Sequence, residues 1–197
     1  MSIILIDTTS YLKLSLGLHP LLGRPVGVPP RECKVLSEVD REFQAKASLA
    51  STFYWLLESD YVVNRAENQL TALSVGLSEV REWREHVSSW AALSRKAYKE
   101  RALTPPSPAD SLVVAYAIAL SEKTGARSAV VSDDGGVRFT VSELGYSDAL
   151  SGWELIQLFC TAGLVTTDEV KRIYGHLQHL KELPHDWKAN SMAAFGF

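Results

Sequence analysis

Ile3-Ile4-Leu5-Ile6-Asp7-Thr8-Thr9 and Ala129-Val130-Val131-Ser132-Asp133-Asp134 are the two stretches whose reading decides the fold. Each is a short, largely β-branched apolar run that stops at an acid. A run of this length, bounded by polar residues, predicts a strand buried on both faces. Such strands belong to parallel sheets covered by helices. Thr8, Thr9 and Ser10 are good N-cap residues, so a short helix is expected directly after the first strand. Residues 17–30 are rich in Gly and Pro and predict a loop. From Arg31 to Tyr61 there is neither Gly nor Pro, and Val35, Val39 and Phe43, then Leu49, Phe53 and Leu56, keep helical spacing. Residues 62–75 are ambiguous, and 78–102 predict another helix.

Thr104-Pro105-Pro106-Ser107-Pro108 is a firm break, after which Pro108 suits the first turn of a helix over 109–123. Leu112, Val113, Tyr116, Ala117 and Leu120 give that helix one broad apolar face, and Thr124-Gly125 reads as its C-cap. Beyond Gly145 two amphipathic helices are expected, 151–162 and 167–183. Helices alternating with short apolar strands make the class α/β, with a mostly parallel sheet flanked by helices. The expected division is a domain over 1–145 and a C-terminal helical extension over 146–197 packed on it. Ligands of such sheets sit beyond the carboxyl ends of the strands. Asp7 and Asp133-Asp134 stand at those ends.

The bulk composition narrows the classes. At 197 residues with 46% hydrophobic and 22% charged residues, the chain can bury a full core without staples. Two cysteines, Cys33 and Cys160, provide neither a disulfide framework nor a Cys-rich zinc site, and suit a reducing cytoplasm. The apolar run at Ile3–Ile6 is too short for a signal peptide and has no basic leader. No stretch approaches the ~20 apolar residues of a membrane span. A net charge of −3 advertises no global field for nucleic acid.

Four carboxylates are candidates for one site: Asp7, Glu38, Asp110 at the start of its helix, and Asp134. Converging in a partly buried cleft they would repel one another, and a hard divalent cation would relieve that. All-oxygen ligands suit Mg²⁺ or Mn²⁺ rather than zinc. Two such ions would support in-line phosphoryl displacement. Taken singly, each acid reads equally as a helix cap or a solvated charge. Glu42 lies one turn after Glu38 on the same face, so either can be the second acid.

In their order, Ile-Leu-Ile-Asp7-Thr-Thr, Val-Leu-Ser-Glu38-Val, Pro-Ala-Asp110-Ser-Leu-Val-Val-Ala-Tyr-Ala and Val-Val-Ser-Asp133-Asp134 resemble the PIN-domain nucleases, which include the VapC-type toxin ribonucleases. The resemblance spans about residues 3–145. It implies a three-layer fold and a metal-dependent endoribonuclease, the toxin of a toxin–antitoxin pair. Mg²⁺ or Mn²⁺ would be held by Asp7, Glu38, Asp110 and Asp134. It also implies an RNA substrate, an antitoxin protein as partner and a homodimer. Thr9 stands where the family has Asn or Ser and would orient a ligand. Ser132 stands where Thr is usual.

The chain departs from the family in two places. Gly136 occupies a position that often carries a further acid. Asp133 could substitute, but points to the opposite face if the strand continues. The stretch between Glu38 and Asp110 is long for the family and predicts an extra helical hairpin.

Arg95, Lys96, Lys99 and Arg101, beside Tyr98, could contact phosphates, as could Arg138. The acids Glu79, Glu82, Glu85 and Glu100 make a solvated helix face the competing reading. His176 and His179 have helical spacing but no third ligand in pattern. Neither cysteine has a base motif beside it. There is no Walker A motif and no G-x-G-x-x-G. Two further functions stay open: a degenerate PIN module that binds RNA or protein without cutting, and an aspartyl phosphotransferase. Thr9, in place of that family's second aspartate, speaks against the latter.

Overall fold

The computed structural model describes residues 2–18, 20–45, 47–184 and 187–196. Among the described residues six strands form one sheet: β1 (Ser2–Ile6), β2 (Pro25–Val26), β3 (Arg31–Leu36), β4 (Gln69–Leu70), β5 (Ala129–Val131) and β6 (Asp148–Leu150). β1 is central. Its Ile6 lies opposite Val35 of β3 on one side and Val131 of β5 on the other, both parallel. β4 and β6 extend the parallel set outward, and the two-residue β2 pairs antiparallel with the start of β3. The protein is an α/β molecule with a central, mostly parallel sheet between helices.

The α-helices among the described residues are α1 (Thr8–Leu18), α2 (Glu38–Ala45), α3 (Ala47–Thr52), α4 (Ser59–Glu67), α5 (Ala72–Val75), α6 (Leu77–Leu93), α7 (Arg95–Glu100), α8 (Pro108–Thr124), α9 (Gly135–Leu144), α10 (Gly152–Thr161), α11 (Thr167–Leu180) and α12 (Trp187–Phe195). Alternation along the strands builds two apolar layers. Ile4, Ile6, Cys33, Val35, Ala129 and Val131 face one core, which α1, α10, α11 and α12 fill. Leu5, Leu36 and Val130 face the other, filled by α6, α8 and α9. α8 is buried almost all round, from Val113 to Leu120, because α6 packs on its outer side. A helix between two layers needs no polar stripe.

Residues 31–36, where the spacing predicts a helix, form strand β3 instead. Cys33 and Val35 point into one core, and the backbone of β3 completes both the β1 and β4 ladders. Pairing on two edges outweighs a helical spacing that three residues satisfy as well. Of the expected loop, Gly17 and Leu18 end α1, His19 lies outside the described residues, and 20–30 are turns apart from Arg24 and β2; 62–75 resolve into α4, β4 and α5. The caps follow the residue chemistry. Ser107 opens α8 with Pro108 in its first turn, Gly125 closes it at φ 65°, and Thr166 caps α11. α11 runs unbroken through Gly175.

The residues after 145 share the main core. β6 is hydrogen-bonded to β5, and Trp153, Ile156, Phe159, Ile173, Leu177 and Trp187 pack with Ile4 and Ile6. The sheet's last strand therefore lies past Gly145. No helix among the described residues is long and apolar enough to cross a membrane.

Cys33 is fully buried in that core, and burial pushes its thiol up to about 12. A thiolate is the reactive form. Under native conditions a thiol-specific reagent should therefore label Cys160 first, and Cys33 only at the rate of global unfolding. Fast labelling of Cys33 would mean that this core opens locally.

Candidate functional site

The parallel strands end at one edge, and chain polarity brings the acids there. Asp7 follows Ile6 directly. Its N–H donates to the Val131 carbonyl at 3.0 Å, and its Oδ1 accepts from the Ser10 N–H at 2.6 Å, so it opens α1. The residue is 4% exposed. Burial raises its carboxyl to about 6, against hydrogen bonds from Ser132 and Ser10 that favour the anion. The nearby charge of Asp133 is a smaller part of the same rise.

Glu38 starts α2 where the chain leaves β3, and its Oε2 accepts from the Ser37 hydroxyl at 3.2 Å. It also faces Tyr116 of α8. Burial first and the Glu38 carboxylate second lift that phenol to about 12, with Arg41 opposing. Asp110 sits in the first turn of α8 in a capping box with Ser107. Its Oδ2 accepts from the Ser107 N–H at 3.0 Å, and the Ser107 hydroxyl accepts from the Asp110 N–H at 3.2 Å. Asp134 is the N-cap of α9. Its Oδ1 accepts from the Gly136 N–H at 2.6 Å, and the residue is exposed.

Two adjoining clefts open over this edge. The larger, about 610 Å³, has Glu38, Arg41 and Glu42 of α2 on one wall and Arg81 and Arg84 of α6 on another. The smaller, about 380 Å³, is lined by Thr8, Thr9, Lys13, Glu42, Asp110 and Glu182. Glu42 faces both, Glu38 the larger and Asp110 the smaller, so the structure offers either glutamate of α2 to the site. Asp7 and Asp134 line neither. Lys13 lies 3.7 Å from Glu182, which brings the C-terminal extension to the wall beside Asp110.

Asp133 and Asp134 diverge. The Asp133 N–H donates to the Ser10 hydroxyl at 3.1 Å, and its Oδ1 accepts from the Gly152 N–H at 3.0 Å, at the start of α10. Asp133 is the carboxylate whose charge reaches Asp7; the charge of Asp134 reaches Tyr98 instead. Ser132 is fully buried, and its hydroxyl accepts from the Asp134 N–H at 3.1 Å. Thr9 is exposed on the rim. Gly136 has a steric cause: a Cβ there would stand 1.8 Å from the Thr104 carbonyl oxygen. The approach of the 104–108 segment excludes an acid at that position.

The donor chemistry of these acids is that of a hard divalent cation. Their arrangement is not. Among the described residues no three His, Cys, Asp or Glu side chains lie close enough together to hold a metal ion. Asp7, Asp110 and Asp134 each take backbone N–H groups, and Glu38 takes a hydroxyl. As placed, the four acids do not fit an ion.

Most of the basic residues singled out from sequence have other engagements. Lys96 pairs with Glu100 at 3.9 Å, and the Arg101 guanidinium lies 4.6 Å from the centre of the Phe139 ring. Arg138 donates to the Ser132 carbonyl at 2.7 Å and so braces the end of β5. Lys99 is exposed on α7, and Arg95 borders a shallow hollow with Pro105 and Pro106. The cleft arginines Arg41, Arg81 and Arg84 escaped the sequence reading. The i, i+3 spacing of Arg81 and Arg84 was visible, but not which face of α6 meets α2. His176 stacks edge-on against Trp55, and burial lowers its pKa.

Neither a protein-family model nor a curated protein sequence matches the chain. Among solved structures, the crystal structure of FitAcB from Neisseria gonorrhoeae overlaps 77% of this chain and 99% of its own. Identity is 14% and the TM-score 0.39. An overlap that loose decides neither fold nor function.

Proposed function

We propose that this chain is a PIN-like ribonuclease acting at the carboxyl edge of its sheet. Asp7 carries the reading. An acid 4% exposed at the end of the central strand, held near pKa 6, is costly to keep unless it has a task. Glu38, Glu42 and Asp110 stand on helices that start at the same edge. The reaction class is hydrolysis of RNA phosphodiester bonds. The cofactor this reading calls for is Mg²⁺ or Mn²⁺, and the toxin role, an antitoxin partner, a homodimer and a cytoplasmic setting belong to it. A second reading, a PIN-like module that binds RNA or protein without cutting, is favoured by the absence of any three-group metal site among the described residues.

One assay separates them. Mixed RNA is incubated with Mg²⁺, Mn²⁺ or chelator, with wild type and Asp7→Asn, while the melting temperature is followed against metal concentration. The ribonuclease reading expects metal-dependent cleavage and a metal-induced rise in melting temperature, both lost in Asp7→Asn. Neither effect in wild type leaves the binding module. Asp133→Asn and Asp134→Asn, measured side by side, identify the fourth acid.

A further inference from the structure

We infer that α6 and the start of α7 form an arginine track that leads a single RNA strand into the larger cleft. The inference rests on the proposed RNA substrate and deepens it. Arg81 and Arg84 are neighbours on one face of α6. Both line the 610 Å³ cleft with Arg41 and Glu38. Both also line a second hollow of about 520 Å³ with Ser88. Ser88 in turn borders the hollow that holds Arg95, Pro105 and Pro106. Three depressions thus run end to end along one helix face, about 10 Å from Arg81 to Ser88 alone.

Arg41, Arg81, Arg84 and Arg95 are exposed. Arg81, Arg84 and Arg95 have no ion-pair partner among the described residues; Glu85 lies on their stripe, and Glu38 and Glu42 share the larger cleft with Arg81 and Arg84. Guanidinium forks match phosphate oxygens in pairs. The cleft floor between the arginines is apolar, built by Leu77, Val80 and Leu112. Single strands are held by cations along the backbone and by unstacked bases laid on flat groups such as guanidinium planes; the arginines supply both, and the aliphatic floor between them gives a splayed base an apolar surface. A duplex keeps its bases stacked inside and offers that floor nothing.

The test measures binding of a labelled oligouridine in chelator, so that no cleavage intervenes, for wild type and Arg81→Gln/Arg84→Gln. The control, Lys171→Gln/Arg172→Gln on exposed α11 positions, removes the same charge elsewhere. The arginine pair should raise Kd about tenfold or more and make the log Kd against log salt slope shallower by about 1.4. The control should bind as wild type. Unchanged binding in the arginine pair, equal loss in the control, or equal binding of polyglutamate would each overturn the track. If wild type cuts RNA while the arginine pair binds normally, the track is wrong and the ribonuclease stands. If the arginine pair alone loses binding while wild type cuts nothing, the ribonuclease falls and the track stands.

Discussion

Asp7→Asn is expected to stabilise the metal-free chain near neutral pH by about 3 kcal/mol. The reason is burial: the carboxyl rises from 3.8 to about 6, so the folded state prefers it protonated. Below 3.8 the acid is neutral in both folded and unfolded chains and costs nothing. Between 3.8 and 6 the unfolded chain has lost its proton while the folded chain still holds it, so stability falls with rising pH. Above 6 both are ionised and the full penalty stands. Asn keeps the oxygen that accepts the Ser10 N–H and is as good an N-cap as Asp. The comparison is a set of denaturant titrations of both proteins from about pH 3 to 8. The stability difference should be near zero at the acid end and grow through the 3.8–6 window. A difference that does not change with pH would show that the Asp7 carboxyl is not strained. Such a gain without metal, together with a loss of cleavage, is how a functional acid differs from a structural cap.

Trp187→Ala should cost about 3–5 kcal/mol, a large share of the stability of a domain this size. Trp187 is fully buried and lies edge-on to Trp153, with ring centres 5.3 Å apart at 69°. Both indoles belong to the core that holds Ile4 and Ile6 of the central strand. The loss should therefore appear in the single cooperative unfolding of the sheet, read by far-UV circular dichroism against denaturant. Were α12 a detachable arm, the sheet transition would stay where it is in wild type and only a separate early step would shift. The same packing makes removal of everything after Gly145 severe, since that cut also deletes β6 and strips α10, α11 and α12 from the face of β1, β3 and β5 that they share with α1.

The strand-to-acid runs were enough to read the α/β class, the position of β1 and β5, and the edge where Asp7 stands. Both ends of α8 were legible for the same reason: Pro108 and Gly125 act through their own backbone. β3 was not, because Arg31-Glu32-Cys33-Lys34-Val35-Leu36 becomes a strand only by pairing with neighbours remote in sequence. The share of residues after 145 in the main core was equally invisible, since an amphipathic helix does not say what it packs against.

By itself, then, the sequence determined which residues are acids at strand ends, because period and polarity are local properties. Only the tertiary structure decided what surrounds them. It buried Asp7 and left Asp134 exposed as a cap. It turned Asp133 toward Gly152, brought Thr104 against Gly136, and set Arg81 and Arg84 of α6 across from Glu38. Each is a distance between segments far apart in the chain, and such distances follow from how the layers pack.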